Sequence, residues 1–318
     1  MSSAPVPRDK LRSVIHARAL PDVAARVVEL VRTNVGDRRL NIELVDIANT
    51  FSPHEMVQIY RMIVETTDET GRQRIAQHAQ LWNQFLTRGG AEYAREELFE
   101  GVALYRSAVQ AEDRASLICF TGFLGTMFMS NCRFLELLGK FPIDIVLLST
   151  ENGTFGRWGL EGTNSFYTSL VFLKAALAER GIVPKCYVGA SAGGASAAMA
   201  ATLDGKAAGI MLSGRFYGPG RRIPIGDAGI AFDPFCPCWH GPRPDLYSIF
   251  GADEPTDAFY DRHLRTLMPQ TKSYPIPKDG KHNPLATLRA RQKLRDVMDL
   301  IAGVASGRSV SFDLVQSL

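Results

Sequence analysis

The sequence has no marked excess of one charge, no apolar run long enough to cross a membrane and no nucleotide-binding motif. Its 36 Lys and Arg residues nearly balance its 33 Asp and Glu residues, which leaves a formal net charge of +3 over 318 residues. A nucleic-acid-binding surface needs clustered basic residues, so no nucleic-acid partner is predicted. The most apolar run, residues 115–130, is shorter than the roughly 18 to 20 residues of a membrane-spanning helix, so no membrane span is predicted.

The chain also lacks the signals of a bound cofactor or of export. Without a Walker motif, or a Gly-x-Gly-x-x-Gly after a strand, no nucleotide cofactor is expected. The first 14 residues carry prolines and charges where a secretory signal needs an apolar stretch, so export by that route is not expected. The odd number of cysteines, five, favours reduced thiols and a cytoplasmic location. Cys236, Cys238 and His240 lack a second group of ligands, so no zinc site is expected.

The first third of the chain has a helical pattern. In residues 1–113 the apolar residues recur at helical spacing, which predicts an all-helical accessory domain. The best-defined helix runs over residues 53–66, because Ser52 can cap it and Glu55 can close a capping box. Further helices are predicted over residues 9–20, 21–35, 41–48, 69–87 and 91–109.

Residues 114–318 alternate short β-rich apolar runs with helical patterns. This alternation predicts an α/β fold with a doubly wound, mostly parallel sheet. Strands are predicted over residues 117–122, 144–149, 185–189, 208–212, 247–250 and 273–276. Helices are predicted over residues 131–139, 163–180, 192–203, 257–268 and 284–302. Residues 214–245, rich in Gly, Pro and aromatics, are too long for an ordinary connection and are interpreted as a lid or binding segment.

The sharpest local motif surrounds Ser191. A predicted strand leads into Gly189-Ala190-Ser191-Ala192-Gly193-Gly194, and a helix of small residues follows. A serine on such a strand-to-helix turn is held out at the sheet edge, and the helix aims its N-terminal amides at any oxyanion formed there. Ser191 is therefore a candidate nucleophile. The alternative is a Gly- and Ala-rich helix start that only packs tightly against the sheet.

A nucleophilic serine needs a base and an acid that orients the base. His282 is the best-placed histidine, since it lies in a loop between the last predicted strand and the C-terminal helix. The turn after the fifth predicted strand offers three acids: Asp253, Glu254 and Asp257. Glu254 and Asp253 rank ahead of Asp257, which has a competing role as N-cap of the next helix. The remaining histidines on predicted helices, interpreted as structural or solvated, are His16, His54, His78 and His263.

An oxyanion formed at Ser191 also needs donors, normally two backbone N–H groups. The first candidate is the N–H of Ala192. The second is the N–H of Phe123, in the Gly-rich turn that follows the first predicted strand. As pure structure, that turn is a glycine turn ending a buried strand.

From Arg114 to Ala302 the chain resembles the α/β-hydrolase superfamily. The Gly-x-Ser-Ala-Gly-Gly motif at Ser191 looks like the nucleophile elbow of esterases, and the order serine, acid, histidine is that of the family. The turn at residues 121–125 is similar to the family's His-Gly-x-x-Gly oxyanion turn, with Thr121 in place of His. The resemblance favours Glu254 as the acid, three residues past the strand-end glycine. Two early strands of the family have no clear counterpart before Leu117, which suggests a trimmed sheet.

The residues and the resemblance lead to a serine hydrolase that cleaves a carboxylic ester or thioester, with Ser191 as nucleophile and His282 as base. Acyl transfer shares the same acyl-enzyme, and a patatin-like dyad of Ser191 with Asp279 is a variant. The expected partner is a small-molecule or acylated substrate, with no cofactor. The alternative outside the enzymes is a non-catalytic binding or scaffold protein. Its helical domain would recruit a partner or a second copy of the chain.

Overall fold

The computed structural model describes residues 19–33, 36–78, 90–99, 101–122, 125–149, 166–215, 223–225, 230–232 and 243–308. The chain divides into two compact units. One comprises Met1–Tyr93 with Ser130–Lys140, and the other comprises Ala94–Met129 with Phe141–Leu318. None of the helices within the described residues is both long and apolar enough to span a membrane.

The first unit is built of helices. Its described helices are α1 (Leu20–Arg32), α2 (Asp37–Thr50), α3 (Pro53–Thr66), α4 (Glu69–His78) and α5 (Asn131–Leu138). The helix predicted over residues 53–66 is confirmed with both ends correct. Its capping box is formed, since Glu55 N–H donates to Ser52 Oγ (3.3 Å) and Ser52 N–H donates to Glu55 Oε2 (2.8 Å). Apolar side chains including Leu40, Ile59 and Ile63 form the core of this unit.

The second unit is an α/β fold around an eight-stranded sheet. The strands are β1 (Tyr93–Phe99), β2 (Val102–Ser107), β3 (Ala115–Phe120), β4 (Ile143–Leu148), β5 (Cys186–Ala190), β6 (Ala208–Leu212), β9 (Leu246–Gly251) and β10 (Lys272–Ile276), with a separate pair β7 (Ile223–Ile225) and β8 (Ile230–Phe232). The sheet order is β1-β2-β4-β3-β5-β6-β9-β10. The neighbouring strands in the run β4-β3-β5-β6-β9-β10 pair in parallel, and β2 runs antiparallel to β4. The predicted doubly wound, mostly parallel sheet is confirmed.

Three of the described helices of the second unit connect its strands, and two follow β10. They are α6 (Phe166–Ala178), α7 (Ala192–Asp204), α8 (Pro255–Leu267), α9 (Pro284–Ala290) and α10 (Leu294–Ala305). The prediction of a single helix over residues 284–302 is wrong. Two helices form instead, because the backbone between them turns at Gln292, which has a φ of 60°. Of the proposed lid segment, 214–245, the described part is residues 214–215 and 243–245 and the short strands β7 and β8.

The helix predicted over residues 91–109 is wrong. This stretch forms β1 and β2, joined through Gly101 at φ of 71°, and glycine accepts such a backbone readily. The expectation of a trimmed sheet fails for the same reason. The compact units divide after Tyr93 rather than after residue 113, and α5 groups with the helical unit. Strand β1 lies at the sheet edge and is mostly half-exposed, so its charged residues obscured the strand pattern.

Candidate active site

Ser191 lies on a strained turn between β5 and α7. Its φ of 53° and ψ of −119° are unusual for a residue with a side chain. Hydrogen bonds hold the turn on both sides: Ser191 N–H donates to the Leu212 carbonyl, and Gly194 N–H donates to the Ser191 carbonyl, both at 2.9 Å. The backbone therefore fixes the serine at the carboxyl end of the parallel strands, where ligand sites of such sheets lie.

The glycines of the motif are required by close backbone packing. A Cβ atom on Gly189 would lie 2.0 Å from the Gly193 carbonyl oxygen, and one on Gly193 would lie 2.2 Å from the Phe120 carbonyl oxygen. A Cβ atom on Gly194 would lie 2.5 Å from Gly214 Cα. Each contact is far shorter than van der Waals separation, so larger residues would push the turn away from β3 and β6.

Ser191, His282 and Asp257 form a hydrogen-bonded chain. Ser191 Oγ lies 2.7 Å from His282 Nε2. His282 Nδ1 lies 2.9 Å from both carboxylate oxygens of Asp257. The structure thus brings together the predicted serine and histidine, with a carboxylate on the far side of the imidazole.

The carboxylate beside His282 is not either of the two acids ranked first. Glu254 is the N-cap of α8, and its Oε2 accepts a 2.6 Å hydrogen bond from Asp257 N–H. Asp253 is exposed to solvent. The predicted roles of Glu254 and Asp257 are therefore exchanged. A sequence signal was available, since Asp257, Asp261 and Leu264 share the buried face of α8 at helical spacing.

The protein combines an eight-stranded sheet with a serine on a strand-turn-helix. Ser191, Asp257 and His282 are hydrogen-bonded and follow one another in that chain order. This combination of features is typical of the α/β-hydrolase fold. Asp257 follows β9 and His282 follows β10, the two strands beyond β6 in the sheet.

Comparisons with known proteins found similarity among solved structures but none among family models or curated sequences. The solved 2,6-dihydroxy-pseudo-oxynicotine hydrolase is 15% identical with a TM-score of 0.48, over 96% of this chain and 95% of that one. A predicted CIB-like hydrolase from Thermoplasma acidophilum is 12% identical with a TM-score of 0.43, over 67% and 98%. A dienelactone hydrolase from Anabaena variabilis is 15% identical with a TM-score of 0.43, over 69% and 99%.

Burial and hydrogen bonding shift the pKa of the Asp257 carboxyl in opposite directions. The Asp257 side chain is fully buried, and burial alone would raise the pKa of the carboxyl. The hydrogen bond from His282 and the other interactions around it outweigh burial, so the pKa of Asp257 lies below its usual value. The carboxylate can therefore hold the Nδ1–H of His282 and stabilise an imidazolium.

The loop that carries His282 is held at several points. A Cβ atom on Gly251, at the end of β9, would lie 2.5 Å from the Asp279 carbonyl oxygen. Asn283 Nδ2 donates to the Phe128 carbonyl at 3.1 Å. The Phe128 ring meets the imidazole edge to face, with centroids 5.3 Å apart. These contacts restrict the position of the histidine next to Ser191.

Asp279, the acid of the alternative dyad, has another role. It is buried in the same loop, and its Oδ1 accepts a 3.1 Å hydrogen bond from Lys281 N–H. The side-chain partner of the Ser191 hydroxyl within the described residues is His282. This geometry favours the triad over the dyad.

The oxyanion donors are described in part. Ala192 is the first residue of α7, so its N–H has no carbonyl within the helix to bond. Phe123 lies outside the described residues. Of the described neighbours, Gly122 N–H donates to the Thr126 carbonyl and Gly125 N–H donates to the Gly122 carbonyl, both at 2.9 Å. The Thr121 hydroxyl donates to the Leu148 carbonyl at 2.7 Å, which ties the turn to β4.

Among the other histidines, His54 and His263 have described side chains, and the partners of these side chains lie outside the triad. Within the described residues, no group of three His, Cys, Asp or Glu side chains could hold a metal ion. Cys236, Cys238 and His240 lie outside them. The described cysteines are buried and unpaired with one another, and burial raises the pKa of each thiol. His54 lies beside Gln58, and His263 stacks on Phe259.

Substitution Gly193→Ala tests the steric requirement of the elbow. We expect it to lower the free energy of unfolding by about 1 to 3 kcal/mol, because the new methyl group meets the Phe120 backbone. The control is Gly280→Ala, where the nearest atom to a new Cβ lies at 3.8 Å and a change within about 0.5 kcal/mol is expected. Urea denaturation measures both, and equal stability of the two variants would contradict the packing argument.

The lowered pKa of Asp257 predicts a pH-dependent stability. The ionised carboxylate stabilises the folded state above the pKa of a free aspartate, about 3.9, and this contribution is lost as the pH falls through the lower native pKa. The difference in unfolding free energy between wild type and Asp257→Asn should therefore shrink below about pH 4. Denaturation from pH 7 to pH 3 measures it, with exposed Asp253→Asn as control. If the difference in unfolding free energy stayed constant over this pH range, the lowered pKa of Asp257 would be refuted.

Proposed function

We propose that the protein is a serine hydrolase that cleaves a carboxylic ester or thioester through an acyl-enzyme on Ser191. The observation that carries this proposal is the hydrogen-bonded chain of Ser191 Oγ, the two ring nitrogens of His282 and the Asp257 carboxylate. In a neutral imidazole one nitrogen donates and the other accepts. Because Asp257 accepts from Nδ1–H, Nε2 is left to accept the proton of the serine hydroxyl.

The first half of the reaction forms the acyl-enzyme. As Ser191 Oγ attacks the substrate carbonyl, His282 Nε2 takes the hydroxyl proton, and Asp257 stabilises the imidazolium. The oxyanion forms near the N-terminus of α7, where the Ala192 N–H and the positive end of the helix dipole stabilise it. The N–H of Phe123 is the proposed second donor. Collapse of the tetrahedral intermediate expels the alcohol or thiol, which takes the proton from His282.

The second half releases the acid. A water molecule gives a proton to His282 Nε2 as its oxygen attacks the acyl carbonyl, and Ser191 leaves with that proton. Acyl transfer would use an alcohol, amine or thiol in place of this water. The substrate is proposed to be a small or acylated molecule. The segment over residues 214–245 is proposed to contribute to its binding. A cytoplasmic location, and association through the helical unit, stay predictions.

A fluorophosphonate probe tests the nucleophile. Wild-type protein should be labelled, because the probe phosphonylates an activated serine hydroxyl, and Ser191→Ala should abolish the label. Ser196→Ala is the matched control, since Ser196 lies on the same helix α7 and is buried. Mass spectrometry locates the adduct. A well-folded wild type that takes no label would overturn the proposal and favour a non-catalytic binding protein.

The three acids should differ in their effect on ester hydrolysis. Asp257→Asn should lower kcat roughly 1,000- to 10,000-fold, because the amide no longer holds the productive tautomer of His282. Glu254→Gln should lower stability by about 1 kcal/mol through its weakened cap, with kcat largely retained. Exposed Asp253→Asn should resemble wild type. Steady-state kinetics with a panel of acyl esters decides, and a tolerated Asp257→Asn would sink the triad.

A further inference from the structure

We propose that Arg215 is a positioning residue of this active site, which holds the Asp257 carboxylate in place and joins it to the turn that carries Ser191. The inference rests on the proposed function and names a residue for the same site. Arg215 is the last described residue before a gap in the chain, directly after Ser213-Gly214 at the end of β6.

The side chain of Arg215 contacts the acid directly. Its Nε donates to Asp257 Oδ1 at 3.2 Å, and the same oxygen accepts from His282 Nδ1 at 2.9 Å. Nη2 of Arg215 lies 3.9 Å from Glu254 Oε1, which draws the guanidinium toward the start of α8. Asp257 is fully buried whereas Arg215 is 38% exposed. The arginine therefore approaches the buried carboxylate from the solvent side.

The backbone of Arg215 contacts the nucleophile. Its N–H donates to the Ser191 carbonyl at 3.0 Å, alongside the 2.9 Å bond from Gly194 N–H. The preceding Gly214 packs against Gly194, and Ser213, at φ of 44°, anchors the segment to β9 through its N–H and the Ile249 carbonyl (2.8 Å). One residue thus bonds the backbone of the serine and the carboxylate of the acid.

A guanidinium in this position has two physical effects. A planar donor fixes the carboxylate more strictly than solvent can, and small errors in the placement of catalytic groups lower rates strongly. The guanidinium also places a positive charge beside the carboxylate oxygen that binds the imidazole. Within the described residues, the charged groups that contact Asp257 or Arg215 here are His282 and Glu254. Solvent and Glu254 screen the charge in part, so its effect is moderate.

Helix α8, which carries Asp257, also provides a matched control for Arg215. Arg265 Nε donates to Asp261 Oδ2 at 2.9 Å, with Arg265 46% exposed and Asp261 buried. This pair also joins an arginine Nε to a buried carboxylate, one turn further along α8, but both of its residues lie on the same helix. Asp261 accepts from Ser273 Oγ instead of from a histidine. Removing Arg265 therefore removes an equivalent ion pair without touching the site.

The experiment compares Arg215→Gln, Arg215→Lys and Arg265→Gln in the full-length protein. Arg215→Gln should lower kcat about tenfold with KM changed less than about twofold. It should also move the acid limb of kcat/KM upward by about half a pH unit, a threefold change in the protonation equilibrium. Arg215→Lys should restore the position of that limb but only part of kcat, because its charge returns without the planar fork. Arg265→Gln should keep the kcat and pH profile of wild type.

A proton NMR titration of the His282 ring gives a readout that does not depend on turnover. Arg215→Gln should move its midpoint upward by the same half unit, and Arg265→Gln should leave it unchanged. If wild type hydrolyses esters but Arg215→Gln leaves kcat, the pH profile and the titration unchanged, the role of Arg215 is overturned while the proposed function stands. If wild type hydrolyses nothing yet the midpoint moves, the proposed function fails and the hold of Arg215 on the acid is supported.

Discussion

Backbone atoms approach one another around Ser191 more closely than any side chain would allow. Gly189, Gly193 and Gly194 each bring a Cα against another backbone segment, within 2.5 Å of where a Cβ atom would lie. This packing holds the serine at a positive φ, a conformation that costs of order 1 to 3 kcal/mol unless its surroundings enforce it. The position of the hydroxyl at the sheet edge, and the start of α7 behind it, both depend on this close packing.

The partners of the serine reach it by the same physical means. Parallel strands end at one edge of the sheet, so loops after β9 and β10 start as neighbours. Gly251 lets the histidine loop pack directly on the end of β9. His282 is then confined between Phe128 on one side and Asp257 on the other. The loops after β9 and β10 are in backbone contact, and they place His282 Nε2 2.7 Å from Ser191 Oγ.

The parts of this arrangement that the sequence predicts are the local ones. Ser191 and Ala192 follow from a strand-turn-helix motif within ten residues, and His282 from its place after the last strand. Strand β1 escaped prediction because an edge strand with Arg95, Glu96 and Glu97 resembles a helix in its residue preferences. Its strand state depends on pairing with distant parts of the sheet, which no local pattern records. Glu96, for example, is bound by Arg180, 84 residues away.

The choice among the three acids shows why a site residue can escape a correct motif. At a helix N-cap, backbone N–H groups donate hydrogen bonds to a carboxylate in place of water. The Glu254 side chain is long enough to accept such a bond from the Asp257 N–H. A fully buried carboxylate needs stronger partners, because desolvation opposes its charge. His282 and Arg215 both bond the Asp257 carboxylate, and each comes from a different loop. The acid beside the histidine is therefore the one whose carboxylate is bonded by side chains distant in the chain, and ranking by local capping preference favours the wrong residue.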